Sequence, residues 1–223
     1  MLIVIEGLDG AGKSTQVKML REYLEKGHKI HYIHFPRYQI APMGEMISKF
    51  LRGDYGAIDE VNPQIVALLY AEDRREASKE IKKYLKAGDT VLIDRYVYSN
   101  IAFQCAKLNS EKEIEYLRNW ILKTEYEYFN IPQPDVNIFL DVPLDFVENR
   151  LKENRKGDDR NYLEGKADIH EASMDFQKKV RAIYLAQLEK DENFLRIDCG
   201  DNNGSMLAAN DIFQQIKKQI CKR

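Results

Sequence analysis

The segment Gly7-Leu8-Asp9-Gly10-Ala11-Gly12-Lys13-Ser14-Thr15 follows directly on the apolar run Leu2-Ile3-Val4-Ile5. A glycine-rich loop between a buried strand and a helix can cradle phosphate. Glycines let the backbone turn its N–H groups inward, a lysine reaches the β- and γ-phosphates, and the next hydroxyl takes Mg²⁺. Gly7, Gly10, Ala11, Gly12, Lys13, Ser14 and Thr15 are therefore the candidate triphosphate-binding residues, with ATP and Mg²⁺ the expected ligands. Val17, Met19-Leu20 and Leu24 then recur with helical period, so the loop opens onto a helix N-terminus, where anions are favoured.

The rest of the chain repeats one pattern: short apolar run, turn, longer helical segment. That pattern predicts an α/β protein with a five-stranded parallel sheet flanked by helices. The expected strands are Leu2–Glu6, Ile30–Phe35, Val91–Asp94, Val136–Asp141 and Phe194–Asp198. The expected helices are Ser14–Lys26, Met43–Leu51, Pro63–Lys86, Ser99–Ala106, Glu111–Tyr128, Leu144–Lys152, Ile169–Glu189 and Leu207–Lys222. One domain covering residues 1–223 is expected. A formal net charge of -2 gives no general attraction to nucleic acid or to acidic membranes, so anion binding must come from local clusters. Cys105, Cys199 and Cys221 are odd in number and lack C-x-x-C spacing, and they read as reduced thiols. No apolar stretch approaches the roughly 20 residues of a membrane span, and the N-terminus enters a core strand rather than a signal peptide. A cytoplasmic protein without nucleic-acid or membrane partners is expected. His28, His31, His34 and His170 show no metal-binding spacing and read as structural or solvent-facing. Glu153 to Lys166 is almost free of large aliphatics and dense in charge, which predicts a mobile surface segment.

In open α/β sheets, ligands bind beyond the carboxyl ends of the strands. Phe35-Pro36-Arg37-Tyr38 follows the second strand, Asp94-Arg95-Tyr96-Val97-Tyr98-Ser99-Asn100 the third, and Asp141-Val142-Pro143 the fourth. Glu6-Gly7-x-Asp9-Gly10-x-Gly12-Lys13-Ser14-Thr15, Phe35-Pro36-Arg37, Tyr70-x-x-x-Arg74, Asp94-Arg95-Tyr96-x-x-Ser99 and an Arg-rich segment after strand four occur in that order. In this set the chain resembles the thymidylate kinases, which phosphorylate dTMP with ATP. The resemblance spans positions 6 to about 164 and implies a P-loop NTPase fold with a mobile Arg-rich lid at about 150–168. It also implies a homodimer packed through helices away from the phosphate loop.

A phosphate monoester has its second pKa near 6, so at neutral pH it is mostly a dianion and needs no general base. A nucleoside hydroxyl would need a positioned carboxylate, and the related deoxynucleoside kinases place a Glu after strand two, where this chain has Arg37. Arg37 and Arg95, each directly after an apolar strand, form a candidate clamp for an acceptor monophosphate. Tyr70 and Arg74 lie one helical turn apart, which suits stacking on a base and donating to its carbonyl. A buried helix face would place them the same way. In the resembled family these positions hold a stacking aromatic and an Arg that reads thymine O4. By the same resemblance Asn100 pairs with thymine N3, and Phe103 crowds the sugar against a 2′-hydroxyl.

Asp9 opposes a triphosphate unless it points away, so it is expected to face the acceptor. The family uses this residue to hold the 3′-hydroxyl or an acceptor-side Mg²⁺. Ser14 is the direct Mg²⁺ ligand, and Asp94 orients the ion through coordinated water. Lys13, Arg95 and Asp9 join two lid arginines, Arg155 and Arg160, as candidate catalytic residues, and Arg150 is the next cation beside the ATP. An arginine delivered to the γ-phosphoryl contributes roughly 10³–10⁵ in rate. Some thymidylate kinases carry such an arginine inside the loop, where this chain has Gly10 and Ala11. The lid reads Asp159-Arg160-Asn161-Tyr162-Leu163-Glu164 and departs from the Asp-Arg-x-Glu of related lids, which leaves Glu164 without an assigned role. A kinase for another deoxynucleotide or a deoxynucleoside, or a non-catalytic ATP switch, remains open on this reading.

Overall fold

The computed structural model of the chain describes residues 1–27, 29–153, 158–171 and 173–221, with the backbone alone for 158–160. Among the described residues, β1 (Leu2–Gly7), β2 (Ile30–His34), β3 (Thr90–Asp94), β4 (Val136–Asp141) and β5 (Phe194–Asp198) form one sheet ordered β2-β3-β1-β4-β5. Every pairing is parallel. The three inner strands are buried along their whole length, which is why they read as continuous apolar runs rather than alternating ones. Helices α1 (Lys13–Leu24), α2 (Met43–Leu51), α3 (Pro63–Lys86), α4 (Val97–Cys105), α5 (Glu111–Leu122), α6 (Leu144–Lys152), α7 (Met174–Gln187) and α8 (Ala209–Ile220) complete the element order. None of them is long and apolar enough to cross a membrane.

The strand order places the site. The chain leaves β1 toward β2 on one side of the sheet and leaves β3 toward β4 on the other, so the adjacent ends of β1 and β3 form a topological switch point. Ile5 pairs with Asp94 in register, and the phosphate loop and Asp94-Arg95 therefore emerge side by side.

Two helical segments differ from the sequence reading. The segment expected to run to Tyr128 is α-helical only to Leu122, and Lys123–Tyr128 widens into a π-helix that turns Glu125 inward. The segment expected from Ile169 begins at Met174, because the Asp168 carboxylate takes the His170 amide at 2.8 Å and Ser173 caps the Phe176 amide at 3.3 Å. The charged stretch to Lys166 is also not uniformly at the surface. Leu163 is 3% exposed, and the Tyr162 ring stacks on Tyr38 with centroids 3.8 Å apart, because burial of apolar surface outweighs the polar character of their neighbours.

Between β2 and α2 the backbone doubles back tightly. A Cβ on Gly44 would stand 2.3 Å from the Arg37 carbonyl oxygen and 2.6 Å from that of Tyr38, contacts that neither backbone can relieve locally. Gly44→Ala should therefore cost about 1–3 kcal/mol and shift the wall that carries Tyr38. Thermal unfolding checks this, and an unchanged Tm would show that the close approach is not maintained in solution.

Candidate active site

The loop after β1 closes with Gly10 at φ 74° and Gly12 at φ 73°, left-handed values that glycine adopts at little cost. Lys13 folds back across the loop and donates to the Leu8 carbonyl at 2.8 Å. Burial, then the neighbouring Arg95 cation, lowers its pKa to about 8 against the pull of Asp94, Asp9 and Glu6. Ser14 and Thr15 are exposed at the helix start. Arg150 of α6 lies against the loop, since a Cβ on Gly10 would come within 3.1 Å of the Arg150 Cβ. Its guanidinium pairs with Glu153 at 2.6 Å.

Beside the loop opens a cleft lined by Asp9, Tyr70, Arg74, Arg95, Asn100 and Phe103 together with residues that sequence reasoning passed over. Arg95 joins the cleft to the loop: its guanidinium donates to the Gly7 carbonyl at 2.8 Å and to Asp9 at 2.6 Å, and stands 5.0 Å from the Phe103 ring centre. The residue holds a left-handed φ of 66°, uncommon without glycine, while its amide donates to the Ile5 carbonyl at 2.9 Å. Strain of this kind concentrates at functional sites.

Glu6 fixes the start of α4. It is fully buried on β1 and takes the Tyr96 amide at 3.0 Å, the Ser99 amide at 3.2 Å and the Ser99 hydroxyl. Burial pushes its pKa up, and the Ser99 hydrogen bond and Arg95 pull it back. One strand residue thus caps the helix that carries Ser99, Asn100 and Phe103 and fixes the turn at Arg95 just before it.

Arg74 is 2% exposed and grips Glu125 through two hydrogen bonds of 2.5 and 2.7 Å. Burial alone would lower its pKa, but the Glu125 carboxylate raises it. The Asn100 amide nitrogen donates to Glu125 and to the Ala67 carbonyl, both at 3.0 Å, and its Oδ1 is buried without a partner. Arg37 is not a cleft-lining residue in this structure. Its guanidinium donates to Asp73 at 2.8 Å and to Glu76 at 3.0 Å. Arg155 and the side chain of Arg160 lie outside the described residues.

Asp94 ends β3 almost fully buried, with Oδ1 unpartnered and Oδ2 3.4 Å from His34. Burial would raise its pKa, but His34 and Lys13 hold it below the usual value, so it stays ionised. An unsatisfied buried carboxylate oxygen beside a phosphate loop fits water-mediated contact with Mg²⁺. No cluster of three metal-binding side chains occurs among the described residues.

Tyr38, Gln104, Tyr162, Asp168 and His170 also line the cleft. Tyr38 adjoined a flagged motif, whereas Asp168 and His170 gave no local signal. His170 is buried and its pKa lies well below the ordinary value for burial, so it is neutral, with its ring 5.1 Å from that of Phe103.

Fold and loop together define a P-loop NTPase-type α/β protein. The family model for thymidylate kinase matches residues 5–208, and the chain belongs to the thymidylate kinase family. Thymidylate kinase of Plasmodium falciparum is 30% identical over 221 residues, 99% of this chain and 89% of that protein. The probable thymidylate kinase of Thermococcus kodakarensis is 34% identical over 85% of this chain and 84% of its own length. The solved structure of Candida albicans thymidylate kinase superimposes with a TM-score of 0.71 at 28% identity, covering 99% of this chain and 91% of that one.

Burial, then the Asp9 charge, raises the Asp168 pKa to about 7. The folded protein thus keeps a proton that the unfolded chain releases near pH 4, and the stability this contributes is full below pH 4 and lost as pH rises through 7. Asp168→Asn cannot ionise and should gain on wild type by about 2–4 kcal/mol between pH 4 and pH 8. Urea unfolding at both pH values measures this, and a pH-independent difference would contradict the assignment.

Proposed function

We propose that the chain transfers the γ-phosphoryl group of ATP to dTMP, giving dTDP and ADP, as a single kinase domain over residues 1–223. The observation that carries the reading is Arg95. One guanidinium touches both the phosphate loop, through the Gly7 carbonyl, and the Asp9 wall of the adjoining cleft. An acceptor phosphate on Arg95 meets the γ-phosphate held by the backbone of residues 7–15 and by Lys13. The acceptor oxygen is already anionic, so positioning and charge stabilisation suffice without a base.

Tyr70 offers a ring for the base, Arg74 a donor for O4, and the unpartnered Asn100 Oδ1 an acceptor for N3–H. Phe103 bounds the sugar, and Asp9 faces it. Mg²⁺ would be held by Ser14 and, through water, by Asp94, and it neutralises phosphate charge. Arg37 can join the acceptor clamp if a dianion draws it from Asp73. The lid role of the segment at about 150–168 belongs to the same proposal, with Arg155 or Arg160, which lie outside the residues whose side chains are described, as the cation for the transferring phosphoryl and Arg150 flanking the ATP. A cytoplasmic homodimer completes the proposal, supported by Ile65 and Leu68, which are 61% and 39% exposed on α3.

A panel of ATP and Mg²⁺ with each nucleoside monophosphate, monitored by ADP release, tests the reading. dTMP should be the fastest acceptor. Faster turnover of thymidine or dCMP would overturn it toward another kinase, and ADP release without any acceptor would overturn it toward a switch. Arg95→Ala should lower kcat/KM for dTMP by about 10²–10³ with the fold retained, as for loss of a charge-stabilising donor. Steady-state kinetics alongside circular dichroism check this, and full activity would remove Arg95 from the reaction.

A further inference from the structure

The base-facing end of the cleft depends on a carboxylate that no motif marks. Glu125 sits in the π-helical segment after α5 and is 0% exposed. In a regular α-helix, Tyr128 would share an inner face with Ile121 and Thr124. The wider turn instead leaves Tyr128 69% exposed and buries Glu125. Single π turns of this kind recur at functional sites.

Glu125 acts on two residues at once. Its Oε2 and Oε1 take Arg74 at 2.5 and 2.7 Å, and Oε1 also takes the Asn100 amide nitrogen at 3.0 Å. The second partner of that nitrogen is the Ala67 carbonyl, another pure acceptor. With acceptors on both sides, the amide cannot turn over without losing two hydrogen bonds, and Oδ1 is the atom left without a partner. Asn100 and Arg74 both line the cleft, so one carboxylate orients the acceptor Asn100 Oδ1 and the Arg74 donor on the same wall.

We propose that Glu125 is a positioning residue that sets the hydrogen-bond polarity of the base pocket, and so the choice of an N–H/C=O base edge over its inverse. Thymine presents N3–H beside the O4 carbonyl, which matches acceptor then donor. Cytosine presents a bare N3 beside an amino group, which sets acceptor against acceptor and donor against donor. The inference rests on the thymidylate kinase reading and extends it. Stability alone does not account for such a pair, since buried ion pairs replaced by apolar groups are often neutral or stabilising. Glu125→Gln keeps the shape but adds a donor, so Arg74 loses its counter-charge and the Asn100 amide is free to invert.

The test compares wild type, Glu125→Gln and Glu125→Asp for kcat and KM with dTMP and with dCMP, alongside ADP affinity and Tm. For Glu125→Gln, the dTMP KM should rise at least about tenfold and the dTMP/dCMP ratio of kcat/KM should fall at least about tenfold. ADP affinity should stay within about twofold, and Glu125→Asp should recover part of the discrimination. Unchanged discrimination in Glu125→Gln, whatever its Tm, overturns the inference. If that variant does not fold, Glu125→Asp decides the matter, because its withdrawn carboxylate should still lower discrimination and wild-type selectivity there would overturn the inference. Failure of the wild type to phosphorylate dTMP would instead strike the functional reading itself.

Discussion

The buried carboxylate of Glu6 is the contact on which the site depends. It sits at the end of the central strand, one residue before the phosphate loop, and holds the amides of Tyr96 and Ser99 from the neighbouring crossover. A parallel sheet brings the ends of β1 and β3 together, but it does not fix how the chain leaves β3. Glu6 does that by capping α4 across the sheet, and the left-handed turn at Arg95 follows from the same constraint. Arg95 then closes onto Gly7 and Asp9, so loop and cleft share one wall. Desolvating a carboxylate costs several kcal/mol, and the hydrogen bonds from Tyr96, Ser99 and Tyr184 offset that cost.

Beyond this clasp, the cleft is built from paired charges at low exposure. Arg74 pairs with Glu125 and Arg95 with Asp9, while Arg37 pairs with Asp73 off the cleft lining. Such a wall is rigid before any ligand arrives, which reduces the ordering cost of binding. The acids Asp9 and Asp168 face the same space, and their mutual repulsion adds to the burial that keeps Asp168 protonated near neutrality. With Asp168 neutral and Asp9 paired with Arg95, the cationic side chains of the cleft lining are the guanidinium groups of Arg74 and Arg95.

Much of this was legible in the sequence because its signals are local. The inner strands are short apolar runs, and the phosphate loop and Asp94-Arg95-Tyr96 are contiguous. Their meeting follows from the strand order, which sets β1 beside β3. Tyr70 and Arg74, one helical turn apart, read by spacing alone as a buried helix face, and only the company of the other motifs points them to the cleft they line. The rest depends on contacts between distant segments. Glu125 reaches Arg74 across 51 positions through a π turn that no pattern announces. Asp168 and His170 enter the cleft because their segment leaves helical geometry before Met174. Tyr162 reads as part of a solvated charged stretch, but its ring stacks on Tyr38. Arg37 shows the converse, since a guanidinium after a strand has the right chemistry, yet local carboxylates decide where it points.

The most direct measurement is a crystal structure with an inhibitor that joins adenosine and thymidine through a polyphosphate. The thymine should lie against Tyr70, with O4 toward Arg74 and N3 toward Asn100. The phosphates should run past Arg95 into the backbone N–H groups of residues 7–15. Thymine density outside this cleft, or a phosphate chain that bypasses Arg95, would contradict the account.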